Sequence, residues 1–292
     1  MSEFYKQYFE LENDEAEIYK EEYIRKSIKN NMLYKFVGFD KNIELNKSKL
    51  NLFENDLIWS SHIKYFEDKS ELKTPFNIRK VAKATHITKA NIQFKFNALR
   101  ELYDVSCFTK DITDFMWENY ANSYNGFCLC FDILDYDKLY PVVYLNKNKV
   151  DLTESIIESV NDIQSKSANL SSKEAKKVSI LPIVLKDEKY KYEKEIRFFF
   201  CPFDDENGEF GGLVFPNIKN EFNYKGTPVS YDYIGIKLKK IIIGYKCNEI
   251  YKTKLIDISK SKGIEIEKDT TYYNRANERI KTNQVDQYHL NR

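Results

Sequence analysis

The sequence predicts an α+β fold, a single domain built on a curved mixed β-sheet flanked by helices. Three observations carry that prediction. Short apolar runs of strand length recur along the chain, among them residues 103–109, 126–132, 196–203 and 240–245. The segments between them change irregularly from helix-like to loop-like, with no regular βα alternation, no G-x-G-x-x-G and no Walker loop, so a doubly wound dinucleotide sheet is not expected. The 292 residues include 22 Tyr and 20 Phe, enough large apolar surface for a sizeable core although 31% of the chain is charged.

The elements follow in order. Residues 1–30 lack Gly and Pro and space Phe4, Tyr8, Leu11, Ile18, Tyr23 and Ile24 in a loosely helical way, which predicts one or two amphipathic helices docked on the rest. A strand is expected over 32–39, ended near Gly38, then a polar helix over 41–54 and a strand over 57–61. Residues 63–101 are mixed and Lys-rich; Pro75 and Asn77 punctuate a loop and a helix is expected around 89–101. Strands at 103–109 and 126–132 bracket a short helix-like segment in which Trp117 and Tyr120 share a face, and the chain turns at Asn125-Gly126. A strand over 140–146 precedes a helix from 151 and a second helix from Ser171, where Ser171 and Glu174 form a start signal. Strands over 196–203, 210–216, 228–233, 240–245 and 264–268 and a helix over 248–261 complete the pattern. The organisation is therefore a helical extension over 1–30, a main α+β domain over 31–270 and a polar tail over 271–292.

Composition excludes several classes. Lys+Arg at 46 against Asp+Glu at 45 leaves a net charge of +1, so no whole-molecule field drives polyanion binding. Cys107, Cys128, Cys130, Cys201 and Cys247 make no CxxC pair and no disulfide framework, which points to a reducing, cytoplasmic setting. His62, His86 and His289 lack metal-ligand spacing, so no metal is expected. No signal peptide is read at the N-terminus, and no run approaches the roughly 20 apolar residues of a membrane helix, so no membrane partner is expected.

The sharpest polar constellation is Lys186, Tyr190, Tyr192, Glu193, Glu195 and Arg197 at the entrance of an apolar strand. In extended backbone Glu193, Glu195 and Arg197 share one face, and Ile196, Phe198 and Phe200 the other. Two carboxylates and a guanidinium so spaced orient one another: a carboxylate can accept from a sugar hydroxyl or assist a nucleophile, and Arg197 can fix its geometry or hold an anion. The competing interpretation is a solvated outer face whose charges pair across strands. A second group, Trp59-Ser60-Ser61-His62 with Phe66-Glu67-Asp68 and Glu71, offers strand-end hydroxyls and short acids suited to ribose or phosphate, although a Ser after a buried strand needs no function. Lys35 points away from Tyr34 and Phe36, either towards an anion or simply into solvent. Trp117 and Tyr120 are either a core plug or one wall of a pocket.

The order of these pieces carries a resemblance. Leu33-Tyr34-Lys35-Phe36, Ile58-Trp59-Ser60-Ser61, Cys107-Phe108-Thr109, Met116-Trp117 with Tyr120-Ala121, Gly126-Phe127-Cys128-Leu129, Val143-Tyr144, Lys186, Tyr192-Glu193-Lys194-Glu195-Ile196-Arg197 and Ile242-Ile243-Gly244 together resemble the bacterial domain family of unknown function 2971, over roughly residues 32–268. Val37 and Glu67-Asp68-Lys69 depart from that family's pattern. At the level of fold the chain also resembles ADP-ribosyltransferases, which place an aromatic or polar residue on a first strand, a Ser or Tyr on a second and a Glu at the entrance of a later one. That resemblance implies an NAD-consuming ADP-ribosyltransferase-like or glycohydrolase-like enzyme, of the toxin or anti-phage defence kind, with a protein or nucleic-acid target and NAD as its substrate. It makes Glu195, Glu193, Arg197 and Tyr120 catalytic and sets Lys35, Trp59, Ser60, Ser61 and Trp117 against the dinucleotide. Aromatic walls would stack nicotinamide while a carboxylate holds the ribose hydroxyl as an oxocarbenium-like centre forms. Two other classes compete: a nuclease or nucleic-acid binder using the Lys-rich stretches 64–95 and 165–177, and a non-catalytic nucleotide-sensing module.

Overall fold

The computed structural model describes residues 3–66, 75–101, 103–146, 150–165, 180–200, 209–210, 213–214 and 225–269. The strands are β1 Met32–Gly38, β2 Leu57–His62, β3 Asp104–Thr109, β4 Gly126–Ile133, β5 Leu139–Pro141, β6 Val143–Leu145, β7 Leu185–Asp187, β8 Glu195–Phe200, β9 Glu209–Phe210, β10 Leu213–Val214, β11 Gly226–Ser230, β12 Ile236–Ile243 and β13 Glu265–Lys268. The helices are α1 Glu3–Glu10, α2 Asn13–Ser27, α3 Ile43–Glu54, α4 Ile78–Thr85, α5 Lys89–Glu101, α6 Asp114–Tyr120, α7 Thr153–Ser165, α8 Tyr231–Ile234 and α9 Glu249–Lys262. Parallel and antiparallel pairs both occur, and the fold class is α+β as the sequence predicts. The chain divides into two compact units: the described parts of 1–33, 55–111 and 132–237, and those of 34–54, 112–131 and 238–292.

In the first unit β11, β2, β3, β8 and β5 pair in that order, every pair antiparallel. The β3–β8 ladder runs without interruption from Asp104 opposite Phe200 to Thr109 opposite Glu195. Directly opposed residues share a face, so Val105, Cys107, Thr109, Phe199, Arg197 and Glu195 point one way and Asp104, Ser106, Phe108, Phe200, Phe198 and Ile196 the other. The Arg197 face is covered by a core cluster of Tyr5, Tyr8, Val143, Leu181, Val184 and Leu185, against which Tyr140 and Phe199 pack. The Tyr5 hydroxyl donates to the Pro141 carbonyl at 2.8 Å, which pins α1 to β5.

In the second unit β12 and β13 are parallel, Lys240 opposite Glu265, and α9 is the crossover between them. Asn248 caps that helix by accepting from Ile250 N at 2.9 Å, and Gly263 ends it at φ 65°. Phe39 stacks on Tyr251 with ring centroids 4.5 Å apart.

The strand expected over 240–245 runs from Ile236 to Ile243, a helix not expected from the sequence covers Ile78–Thr85, and further predicted elements change as follows. The strand over 140–146 divides at Val142: β5 pairs antiparallel with β8, a register that ends with Val142 N–H donating to the Glu195 carbonyl at 3.1 Å, and β6 beyond it pairs parallel with β7. The strand over 228–233 runs only to Ser230, whose hydroxyl caps α8 by accepting from Tyr233 N at 3.2 Å. The run 210–216 contributes to a hairpin of β9 and β10. The turn before β4 is made by Asn122, Ser123 and Tyr124, all left-handed at φ 45°, 54° and 70°, whereas Gly126 is required because a Cβ there would lie 2.1 Å from the Val37 carbonyl oxygen. The helix expected from Ser171, the acids Glu67, Asp68 and Glu71, and the polar tail lie outside the described residues.

Candidate functional site

The site is built by β7, one 3-10 turn and β8. Asp187 caps the turn over 188–193 by accepting from Lys189 N at 3.1 Å. Lys194 then takes a left-handed conformation, φ 47°, and reverses the chain into β8. Glu193 therefore stands on the turn and not on the strand. It does not reach its neighbour by the i, i+2 alternation the sequence suggested, but the reversal still folds Lys186 back over both carboxylates.

Lys186 Nζ donates to Glu193 Oε2 and, at 2.6 Å, to Glu195 Oε1. Arg197 approaches the other Glu195 oxygen, Oε2, with Nε and Nη2, each at 2.8 Å, and its Nη1 donates to the Ile183 carbonyl at 2.5 Å. All four residues are buried: Lys186 is 5% exposed, Glu193 2%, Glu195 5% and Arg197 0%. A solvated outer face is thereby ruled out. Buried ions persist only when matched, and here two cations match two carboxylates.

The match is uneven, and this separates the two acids. Burial pushes the Glu193 carboxyl up, and a hydrogen bond to Glu195 with the charge of that neighbour pushes it further, to about 7. Burial also works to raise Glu195, but Arg197 first and Lys186 second outweigh it and hold this carboxyl well below the usual range. When protonated, Glu193 thus donates to an anionic Glu195.

Three further groups complete the surroundings. The Tyr144 hydroxyl accepts from Glu195 N–H at 2.8 Å, and burial, then the charge of Glu195, raises its own pKa. Thr109 Oγ1 donates to the Glu193 carbonyl at 2.7 Å. The Tyr190 ring centroid lies 4.9 Å from Lys186 Nζ. Of these, Tyr190 was visible in the sequence as a member of the polar constellation. The roles of Tyr144 and Thr109 left no local signal, because they come from β6 and β3.

The remaining candidates are placed as follows. Trp59 is 40% exposed and lies opposite Pro228. Ser61 lies opposite Val105 and so shares the face of Glu195 and Arg197. Ser60 points to the other face, where its hydroxyl meets Ser106 Oγ at 2.7 Å; Ser106 in turn donates to the Trp59 carbonyl at 3.1 Å. Buried Thr227 and Asp104 continue this row, with Thr227 Oγ1 donating to Asp104 Oδ2 at 2.7 Å and His62 opposite Asp104. In the second unit, Trp117 is 1% exposed, meets Phe36 edge-on at 4.9 Å and stacks on Tyr124 at 5.6 Å. Trp117 is a core plug of its unit, and its indole N–H has no hydrogen-bond partner among the described residues. Tyr120, three residues on, is 42% exposed, and Lys35 is half-buried on β1. Among the described residues no group of three or more His, Cys, Asp or Glu is arranged to hold a metal ion, and no helix is long and apolar enough to cross a membrane.

Fold and site together define an α+β protein with a buried, self-neutralised carboxylate–cation cluster at a strand entrance. Residues 116–198 match the model of a family described as a protein of unknown function (DUF2971), which bears out the family resemblance read from the sequence. The matched segment begins at α6 and takes in Trp117, Tyr120 and the whole Lys186–Arg197 cluster. No curated protein and no solved structure matches the chain.

Proposed function

We propose that the protein is an NAD-consuming enzyme, an ADP-ribosyltransferase or glycohydrolase of the cytoplasm acting as a toxin or anti-phage effector, and that Glu195 and Glu193 divide its chemistry. The observation that supports this reading is the separation of the two carboxyls: one is held as an anion and the other titrates near neutrality. Two adjacent acids driven apart in this way are suited to distinct roles in one reaction. The bond between ribose C1′ and the nicotinamide nitrogen breaks with its electron pair leaving on nicotinamide. Glu195, anionic at working pH, stabilises the positive charge that develops on the ribose. Glu193 takes the proton from the incoming water or acceptor hydroxyl as the new C–O bond forms. Arg197 and Lys186 hold both acids in place.

The test is nicotinamide release from NAD, followed by mass spectrometry with protein and nucleic-acid acceptors present. Turnover is expected to rise with pH through about 7 and to lose that dependence in Glu193→Gln. NAD left intact under all these conditions overturns the reading. One observation favours a second reading, a nucleotide-sensing module: both Glu195 oxygens are already engaged and Arg197 also grips Ile183. Tight nucleotide binding without turnover would select it.

A further inference from the structure

We propose that Lys110 is the phosphate-binding residue of this site and takes the diphosphate of a dinucleotide substrate; the identity of that substrate rests on the reading just given. Lys110 immediately follows β3. The Thr109 side chain is bound to the Glu193 carbonyl, and Lys110 N–H donates to the Lys194 carbonyl at 3.2 Å. Lys194 is the residue between the two acids, so Lys110 is stitched to the turn that presents them.

Its ammonium is a cation of this neighbourhood that forms no ion pair among the described residues. Lys194 Nζ is matched to Asp111 Oδ2 at 2.6 Å, and Lys186 and Arg197 are matched to Glu193 and Glu195. Lys110 Nζ lies 5.9 Å from the centroid of the Tyr23 ring and makes no hydrogen bond or ion pair among the described residues. Lys110 is half-buried and Tyr23 is 38% exposed, so the amine lies at the edge of the covered face. A half-buried cation with no direct ion-pair partner among the described residues is costly in the free protein and is relieved by an anionic ligand. In accord with this, burial pushes the Lys110 amine down to about 8, with Lys194 acting in the same direction and Asp111 opposing.

The experiment is titration calorimetry of the full chain with inorganic pyrophosphate. Lys110→Met should weaken binding by about tenfold, the loss of roughly one charge-assisted contact, and Lys110→Arg should restore it. Thermal melts establish that each variant is folded. Pyrophosphate binding unchanged in folded Lys110→Met, or absent from the wild type at millimolar ligand, overturns the proposal. If Lys110→Met fails to fold, Lys110→Gln and the shift of the lysine ε-carbon resonances on adding pyrophosphate to the wild type decide it: the Lys110 resonance must titrate at higher pH with ligand than without. Kinetics separate this proposal from the one it rests on. Lys110→Met should raise KM for NAD while leaving turnover of nicotinamide riboside, which has no phosphate, unchanged. Pyrophosphate binding that depends on Lys110 in a protein that never consumes NAD retains Lys110 as a phosphate residue and overturns the NAD reading. NAD turnover that depends on Glu193 but is indifferent to Lys110 does the reverse.

Discussion

On one face of the first unit's sheet Glu195 and Arg197 are buried as ions with Lys186 and Glu193 beside them; on the other, Ser60, Ser106 and Thr227 are buried as hydroxyls in a row that ends on Asp104. The strands are the same, and parity alone decides which side a residue serves. The hydroxyl row is a chain of short donor–acceptor steps, each satisfied locally. The ionic cluster is a shared account of charge: Lys186 divides itself between two acids, and Arg197 spends two of its nitrogens on one. Removing one member of the row loses a hydrogen bond. Removing one ion strands another in a low-dielectric interior, so the ionic face is far less tolerant.

The largest expected effect comes from Arg197→Met, which leaves Glu195 buried with Lys186 as its remaining cation. Urea denaturation should show a loss of about 3–5 kcal/mol, the range for breaking a buried pair from one side. A loss under about 1 kcal/mol would mean that the cluster is not the tightly matched unit described. Next comes Glu195→Gln, which keeps the shape but removes the charge: nicotinamide release should fall by about a hundredfold or more per folded molecule. If turnover falls only in proportion to folded protein, Glu195 is a structural partner of Arg197.

A third and smaller effect depends on pH. The folded protein holds the Glu193 proton more tightly than the unfolded chain, because the carboxyl is raised from 4.5 to about 7. Its contribution to stability is therefore complete below the unfolded value and is lost as pH rises through about 7. Wild type should lose on the order of 2 kcal/mol relative to Glu193→Gln between about pH 5 and about pH 8; parallel curves for the two proteins would contradict the assigned shift. Smallest is Ser60→Ala, which should cost about 1 kcal/mol, since Ser106 retains the Trp59 carbonyl. It should leave nicotinamide release unchanged because Ser60 faces away from Glu195. A loss of turnover in a folded Ser60→Ala protein would break the division between the faces.

The sequence made β8 and its charged entrance visible, because a run of apolar residues behind E-x-E-x-R needs no tertiary knowledge. It did not reveal that the entrance is buried. The cover comes in part from Tyr5, far away in sequence, and only tertiary packing supplies it. Nor did alternation locate Glu193, since the left-handed Lys194 ends strand parity before that residue. Trp117 and Tyr120 have helical spacing that suggests one environment. A separation of three residues still leaves them at different angles around the helix, and contact with Phe36 and Tyr124 buries only Trp117. Ser60 and Ser61 were indistinguishable as neighbours until the β2–β3 register assigned them to opposite sides.

The three left-handed residues before β4 bear on the order in which the chain folds. Asn122, Ser123 and Tyr124 each hold a backbone conformation that costs a non-glycine residue of order 1 kcal/mol. The bend is offset by contacts distant in sequence: the amides of Asn122 and Asn125 both donate to the Phe39 carbonyl, and Asn125 Oδ1 accepts from Asn248 N at 3.1 Å. The bend is therefore unfavourable until residue 39 is in position, and is locked only after residue 248 arrives. It is a late event by construction: Ser123→Gly relieves one left-handed position (φ 54°) and should speed closure of this segment without altering the side-chain interactions that hold it shut, a change that stopped-flow refolding would detect in the rate and not in the final spectrum.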